Sequence, residues 1–363
     1  MRAPEEPRQP LPEEQMSEQT TDIQPTNYCS DAIDDLREAV KGMRGARVMP
    51  KTARRAMAVV EMLQHAVKFM LPNCAQLVNE LSLRESHLEL LRLPYPLVAF
   101  EAPWIKDGEG EQELNGFEQS KSTRRIALCW ELDAKFQPFP DIRFELFAGV
   151  EAVREAFPEG GVFVLPVFYV DKLRLWQFGA GGTFIPREFH VDENFQALPA
   201  TQIAEDALRA VGRRHEKGYR FRAEPFVVMP EMFEELITRA DGDVDRALAT
   251  VQLDASDEVT MAVQACSVLN CANVETIDVS PSRAANAKRA ATGKLPFFTY
   301  KVLQVSAERS PAAASSGGAH ASPRMHLRRG HLRRLDGRVV WVRAAMVNAG
   351  SSAGVVAKDY TIR

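Results

Sequence analysis

The sequence predicts an α+β fold: an N-terminal helical hairpin, a mixed α/β middle and a basic β-hairpin region at the C-terminus. Three observations predict it. Apolar residues recur at helical spacing from residue 52 to 91, and strand-like runs then dominate from 94 to 190. Beyond them, helical and strand-like stretches alternate up to an Asp336-Gly337 turn signal. Interleaved helices with mostly adjacent strands favour α+β over a regular βαβ series.

Taken in order, residues 1–27 are rich in Pro, Glu and Gln with almost no large apolar side chains. Such a tail cannot offset the entropy of ordering and is expected to be disordered. A helical segment, 28–93, follows. Ala32, Ile33, Leu36, Ala39 and Val40 suggest a short helix stopped by Gly42 and Gly45. Ala56, Val59, Leu63, Val67 and Met70 then mark a helix over 52–71, ended by Pro72. Asn73 with Gln76 offers an N-cap for a second helix through Leu77, Leu81, Leu88 and Leu91, giving an antiparallel pair.

The body, 94–282, is acidic. Strands are predicted at 97–100, 125–132, 142–147, 162–170 and 173–178, the last two joined by a turn at Asp171-Lys172. Helices are predicted at 201–215, from Pro230, and as one or two segments over 243–270; strands return at 274–279 and 297–305. A basic connector and strand occupy 283–305, a linker of small residues 306–323, and a basic β-rich region 324–363. In the last, 324–335 should pair with 338–342 and bury Trp341 at least partly.

A hydrophobic content of 45% and a charged content of 26% are those of a globular chain. No apolar run approaches the ~18–20 residues that span a bilayer, and no basic-then-apolar leader opens the chain. A cytoplasmic protein without a membrane partner is expected. Cys29, Cys74, Cys129, Cys266 and Cys271 read as reduced, buried thiols, and the Cys266/Cys271 spacing is not that of zinc. No cofactor is expected.

Charge is unevenly spread. Residues 283–363 hold 15 Lys and Arg against 3 Asp and Glu, a local net of +12. The totals of 45 and 49 leave 30 against 46, a net of −16, for residues 1–282. Such a split points to a basic arm for a polyanion or a basic part folded on an acidic body.

The basic region carries the candidate chemistry. Arg324, Arg328, Arg329, Arg333 and Arg334, with Lys288, Arg289 and Lys294 of the connector, are the candidate nucleic-acid-binding residues. Arginine matches phosphate bidentately, and Trp341 or Tyr360 could stack on bases. An alternative is a metal-independent ribonuclease: His331 as general acid or base, Arg329 or Arg333 against phosphoryl charge, Tyr360 or Lys358 assisting. A third reading has the acidic body docking on a host protein as a mimic of nucleic-acid charge. His320, His326 and His331 have no cysteine or carboxylate at useful spacing, so no metal site is predicted. Gly179-Ala180-Gly181-Gly182-Thr183 reads as a tight turn, because Pro186 stands where a phosphate loop needs a helix.

Three stretches also carry a resemblance. LRLPYPLVAFE (91–101), SRAANAKRAATGKLPFFTYKVL (282–303) and the tail RRGHLRRL…VVWV…KDYTI are similar to a family of bacteriophage- and prophage-encoded proteins. The likeness covers about a third of the chain. It implies expression in an infected bacterial cytoplasm and assigns no catalytic residue.

Overall fold

Strands that are apolar on both sides must be covered on both sides, and that requirement sets the architecture. The computed structural model describes residues 24–77, 85–106, 112–133, 135–191, 195–213, 220–305, 326–328, 331–335, 337–342 and 345–347. Ten strands join in one mixed sheet. They are β1 (Val67–Met70), β2 (Leu97–Pro103), β3 (Arg124–Glu131), β4 (Arg143–Phe144), β5 (Gly161–Val170), β6 (Leu175–Phe178), β7 (Gly181–Pro186), β8 (Glu224–Val227), β9 (Val274–Val279) and β10 (Tyr300–Val305). Across the sheet the order is β9-β10-β1-β2-β3-β5-β7-β8-β4, with β6 paired to β5. β1 runs parallel to both β2 and β10, and the other pairings are antiparallel. The fold is α+β.

Helices α1 (Tyr28–Ala46) and α2 (Pro50–His65) cover one face. There Phe163 stacks on Trp130 with ring centroids 5.0 Å apart, and Phe184 and Phe226 close the cluster. The longer helices that follow are α3 (Pro199–Ala210), α4 (Pro230–Arg239), α5 (Val244–Leu269) and α6 (Arg283–Ala291). The 26-residue α5 covers the opposite face, against Phe100, Val162, Val164 and Ile185. It is apolar nearly all round because the sheet, α3 and α4 surround it. Asp243 caps it, its side chain accepting from the Arg246 N–H. Residues 243–270 are therefore one helix.

Several expectations are corrected. The helical period drawn through 52–71 breaks at Ala66, where ψ is 144°, and Val67–Met70 becomes β1. A short buried strand reads like a helix turn from periodicity alone; pairing on both edges decides the matter. Lys68 Nζ satisfies the end of α2 by donating to the carbonyls of Gln64 and Ala66, at 2.8 and 2.7 Å. The expected second helix is a 3-10 turn at Asn73–Ala75 and one helical turn at Glu85–Leu88, with 78–84 outside the described residues. The antiparallel helical pair is instead α1 with α2.

Helix α1 also runs through Gly42 to Ala46, because burying Ile33, Leu36 and Val40 outweighs a glycine cost of about 1 kcal/mol. The strand expected at 142–147 shrinks to Arg143–Phe144. The connector opens as helix α6, capped by Ser282, before its strand. The segments read as 28–93, 94–282 and 283–305 contribute neighbouring strands, with β1 between β2 and β10. The glycine-rich 179–183 is mostly strand: Gly181 opens β7, buried between β5 and β8.

The C-terminal hairpin takes the expected register. β11 (His326–Arg328) pairs with β14 (Ala345–Val347), and β12 (His331–Leu335) with β13 (Arg338–Val342). Two residues separate the paired segments on each strand, so both ladders belong to one hairpin register. Gly337 at φ 74° supplies the left-handed backbone of the turn. The burial expected of Trp341, and most of the tail expected over 1–27, lie outside what is described.

All five cysteines are buried and free. Burial pushes the thiols of Cys29, Cys129 and Cys266 above their ordinary value, and that of Cys271 up to about 12. No thiol of the folded protein should therefore react with an aromatic disulfide reagent on the time scale of minutes, whereas all five should titrate in guanidinium. One fast-reacting thiol in native buffer would contradict this packing. No helix among the described residues is long and apolar enough to cross a membrane.

Candidate functional site

Cross-strand partners of an antiparallel pair share a face, and successive residues alternate. Positions 331, 333, 335, 338, 340 and 342 therefore form one face of the β12–β13 hairpin, and 332, 334, 339 and 341 the other. Arg334 pairs with Glu89, so its face meets the body. A backbone bond from the Ala272 N–H to the Val339 carbonyl, 2.8 Å, fixes the hairpin beside β9. Arg333 and Arg338, both exposed, stand on the opposite face. His331 shares that face by register. Arg328 belongs to β11 by backbone, while Arg324, Arg329, Lys358 and Tyr360 lie outside the described residues.

The connector's cations are arranged differently. Arg289 is buried, with its guanidinium 3.2 Å from Asp34 of α1 and over the ring of Phe297, 4.4 Å from the centroid. Lys294 reaches the same Asp34 oxygen at 3.2 Å. Arg289 thus ties α6 to α1 instead of facing solvent, while Lys294, beyond the end of the helix, pairs with the same acid and stays exposed. Lys288 is exposed. Lys301 pairs with Asp278 at 2.7 Å, so part of the basic excess is neutralised by the acidic body.

Two buried polar clusters went unread in the sequence. Glu101, a lone acid within LVAFEAP, is fully buried on β2. Its Oε1 accepts from the Cys29 N–H and the Tyr300 hydroxyl, both at 2.8 Å. Its Oε2 accepts from the Thr26 hydroxyl at 2.6 Å and the Tyr28 N–H at 3.0 Å. A distant carboxyl thus caps α1, where the helix has no local side-chain cap. Burial raises its pKa, against the hydrogen bonds it accepts from Cys29, Thr26 and Tyr300.

The second cluster lies on the other side of the sheet, against α5. Arg125 of β3 sits 2.9 Å from Glu258 Oε1 and 3.2 Å from Asp257 Oδ2, and Arg213 pairs with the other Asp257 oxygen. Burial alone would raise Asp257, but Arg213, Arg125 and Lys106 hold it well below the carboxylate range. Burial also works against the charge of Arg125, which Glu258 and Asp257 nevertheless keep firmly protonated. Charges on an otherwise apolar helix were the available signal, since such groups need partners.

Two clefts flank α5. One, about 70 Å³, is lined by Trp104, Lys106, Lys121, Arg125, Arg213 and Asp257. The other, about 90 Å³, lies between α3, α5, β7 and β8, with Phe195 and Phe221 beside Thr183, Glu224 and Gln252. Among the described residues, no three His, Cys, Asp or Glu side chains gather where they could hold a metal ion. The chain matches no family model, no curated protein and no solved structure.

Proposed function

We propose that the protein binds nucleic acid, or another phosphate-bearing polyanion, through the outward face of its C-terminal hairpin. The observation that carries this reading is the sorting of arginines by register. All three described arginines of the hairpin are exposed; Arg334 pairs with Glu89 of the body, while Arg333 and Arg338 share the opposite face by register. Exposed guanidinium groups on a two-stranded ribbon suit phosphate contact, because arginine offers paired donors without needing a defined base sequence. Pairs such as Lys301 with Asp278 withhold charge, so the contact is modest in extent. The resemblance to phage-encoded proteins supports an accessory role in an infected bacterial cytoplasm.

Anisotropy titrations of labelled duplex DNA and single-stranded RNA test this. About two to three phosphates should be neutralised, giving a log–log salt slope of about −2 to −3 on DNA. Arg333→Ala with Arg338→Ala should flatten the slope by close to two contacts, and Arg334→Ala by less. Binding that is undetectable at about 50 mM salt, or a slope unmoved by the double variant, would reject the reading.

His331 on the same strand face keeps a ribonuclease reading attached to this site. The RNA mixtures report on it directly. EDTA-resistant cleavage that falls by ~10²–10⁴-fold in His331→Ala would establish catalysis, and intact RNA from pH 6 to 8 would leave binding alone.

A further inference from the structure

The body beside the hairpin carries an aromatic group that the phosphate contacts leave unused. Tyr95 is the most exposed aromatic side chain among the described residues, with 39% of its surface in solvent. Its neighbours on both sides are prolines, Pro94 and Pro96. Pro94 fixes its own φ, and Pro96 confines Tyr95 to extended backbone, so a stiff segment presents the ring. The ring leans on Phe69, centroids 6.3 Å apart, and Lys301 Nζ lies 5.9 Å from its centroid.

The same segment is fastened to the hairpin. Asn270, at the end of α5, donates from Nδ2 to the carbonyls of Leu90 and Arg92, at 3.0 and 2.9 Å. Two residues on, the Ala272 N–H bonds to the hairpin carbonyl of Val339. Glu89 pairs with Arg334 of the same hairpin. Residues 89–95 therefore lead from the hairpin to the exposed ring, a reach of about 20 Å at full extension. Arg92 lies between them. It is exposed, and its guanidinium has no partner among the described residues. Two acids along this path, Glu89 and Asp278, are each taken up by a cation, Arg334 and Lys301. Glu275 of β9 stands on the opposite face from Asp278 by strand alternation. A duplex would meet the cations here and leave the ring idle, because its bases are stacked on one another. A strand with unpaired bases engages both, phosphates on cations and a base on the ring.

We infer that the nucleic acid held by the hairpin is single-stranded and continues along residues 89–95, with a phosphate on Arg92 and a base stacked on Tyr95. This rests on the hairpin reading and adds to it the state of the strand. Every base has a π face, so the platform sets no base sequence and takes DNA and RNA alike.

The test uses the full chain and strands of about 12 nucleotides. They are oligothymidylate, oligouridylate, an abasic deoxyribose-phosphate strand and a DNA duplex of the same length. Both intact single strands should bind at least about fivefold more tightly than the duplex or the abasic strand. Tyr95→Ala should weaken thymidylate binding by about 5- to 150-fold, the worth of one stacked base, and leave duplex and abasic affinities as in the parent. Tyr95→Phe keeps the ring and should bind as the parent does. Arg92→Ala, at an exposed position, should flatten the salt slope on single strands by about 0.7. If Tyr95→Ala does not fold, the abasic strand against the parent protein decides, since it removes the base instead of the ring. Absence of binding to every strand at about 50 mM salt removes the hairpin reading and the single-strand site together. Binding that needs Arg333 and Arg338 but treats duplex, abasic and intact strands alike overturns the single-strand site alone. So does thymidylate binding that Tyr95→Ala changes by less than about twofold.

Discussion

Replacing Glu101 with alanine should destabilise the protein by about 3–5 kcal/mol and lower its melting temperature by about 5 °C. The carboxyl is fully buried, and it accepts hydrogen bonds from two backbone N–H groups and two hydroxyls. The Thr26 and Tyr300 hydroxyls can rotate about their C–O bonds. The Tyr28 and Cys29 N–H groups cannot, and alanine would leave both unmet at the N-terminus of α1 at about 1–3 kcal/mol each. The lost volume adds a cavity cost. Tyr300→Phe, which removes one of the four donors, should cost only about 1 kcal/mol. Glu89→Ala, which breaks the exposed pair with Arg334, should cost less than about 1 kcal/mol.

The pH dependence has a definite sign. Burial raises the folded-state pKa of Glu101, so the folded protein holds this proton more tightly than the unfolded chain. Its contribution is complete below the ordinary glutamate value and diminishes as pH rises through the raised one. The stability gap between parent and Glu101→Ala should therefore narrow on going from acid towards neutral pH. Thermal melts at several pH values measure it. A gap below about 1 kcal/mol throughout would mean that this carboxyl is not the cap of α1.

What could be read in the sequence divides by the range of the interactions involved. The Asp336-Gly337 turn and the register of the hairpin around it are local, and Leu335 pairs with Arg338 as expected. Pro230, Asp243 and the strands 162–170 and 274–279 announce themselves through neighbours in the chain. Val67–Met70 does not. It becomes a strand only because Leu97–Pro103 and Tyr300–Val305 pair along its two edges. The candidate phosphate ligands divide in the same way. The alternation that turns Arg333 away from Arg334 was legible. The capture of Arg289 by Asp34, 255 residues away, was not. Nor was the Arg125 cluster, whose partners Asp257 and Glu258 lie on a different element. A lone charge in an apolar run shows that a partner must exist without showing where it is.

The glycines misread as a turn carry the second large effect: Gly181→Ala should abolish folding or cost more than about 4 kcal/mol, at the far end of single substitutions. β7 lies fully buried between β5 and β8, and a Cβ built on Gly181 would stand 1.8 Å from the carbonyl oxygen of Phe226. The obstacle is backbone, which cannot rotate aside as a side chain can. Relief would require β8 to move, breaking the ladder that pairs Val227 with Gly181 and Phe226 with Gly182. That movement would also draw Phe226 from its contacts with Trp130 and Phe163. Gly182→Ala meets the same obstacle from the opposite strand, its Cβ 2.1 Å from the carbonyl oxygen of Val164. Gly42 provides the contrast. It is exposed inside α1, and a Cβ there meets nothing within 4 Å. Gly42→Ala should therefore stabilise the protein by about 0.5–1 kcal/mol through better helix propensity. Soluble yield and thermal melts of the three variants decide the point. A Gly181→Ala protein that melts within about 1 °C of the parent, under 1 kcal/mol for a chain of this size, would show that β7 does not run between β5 and β8.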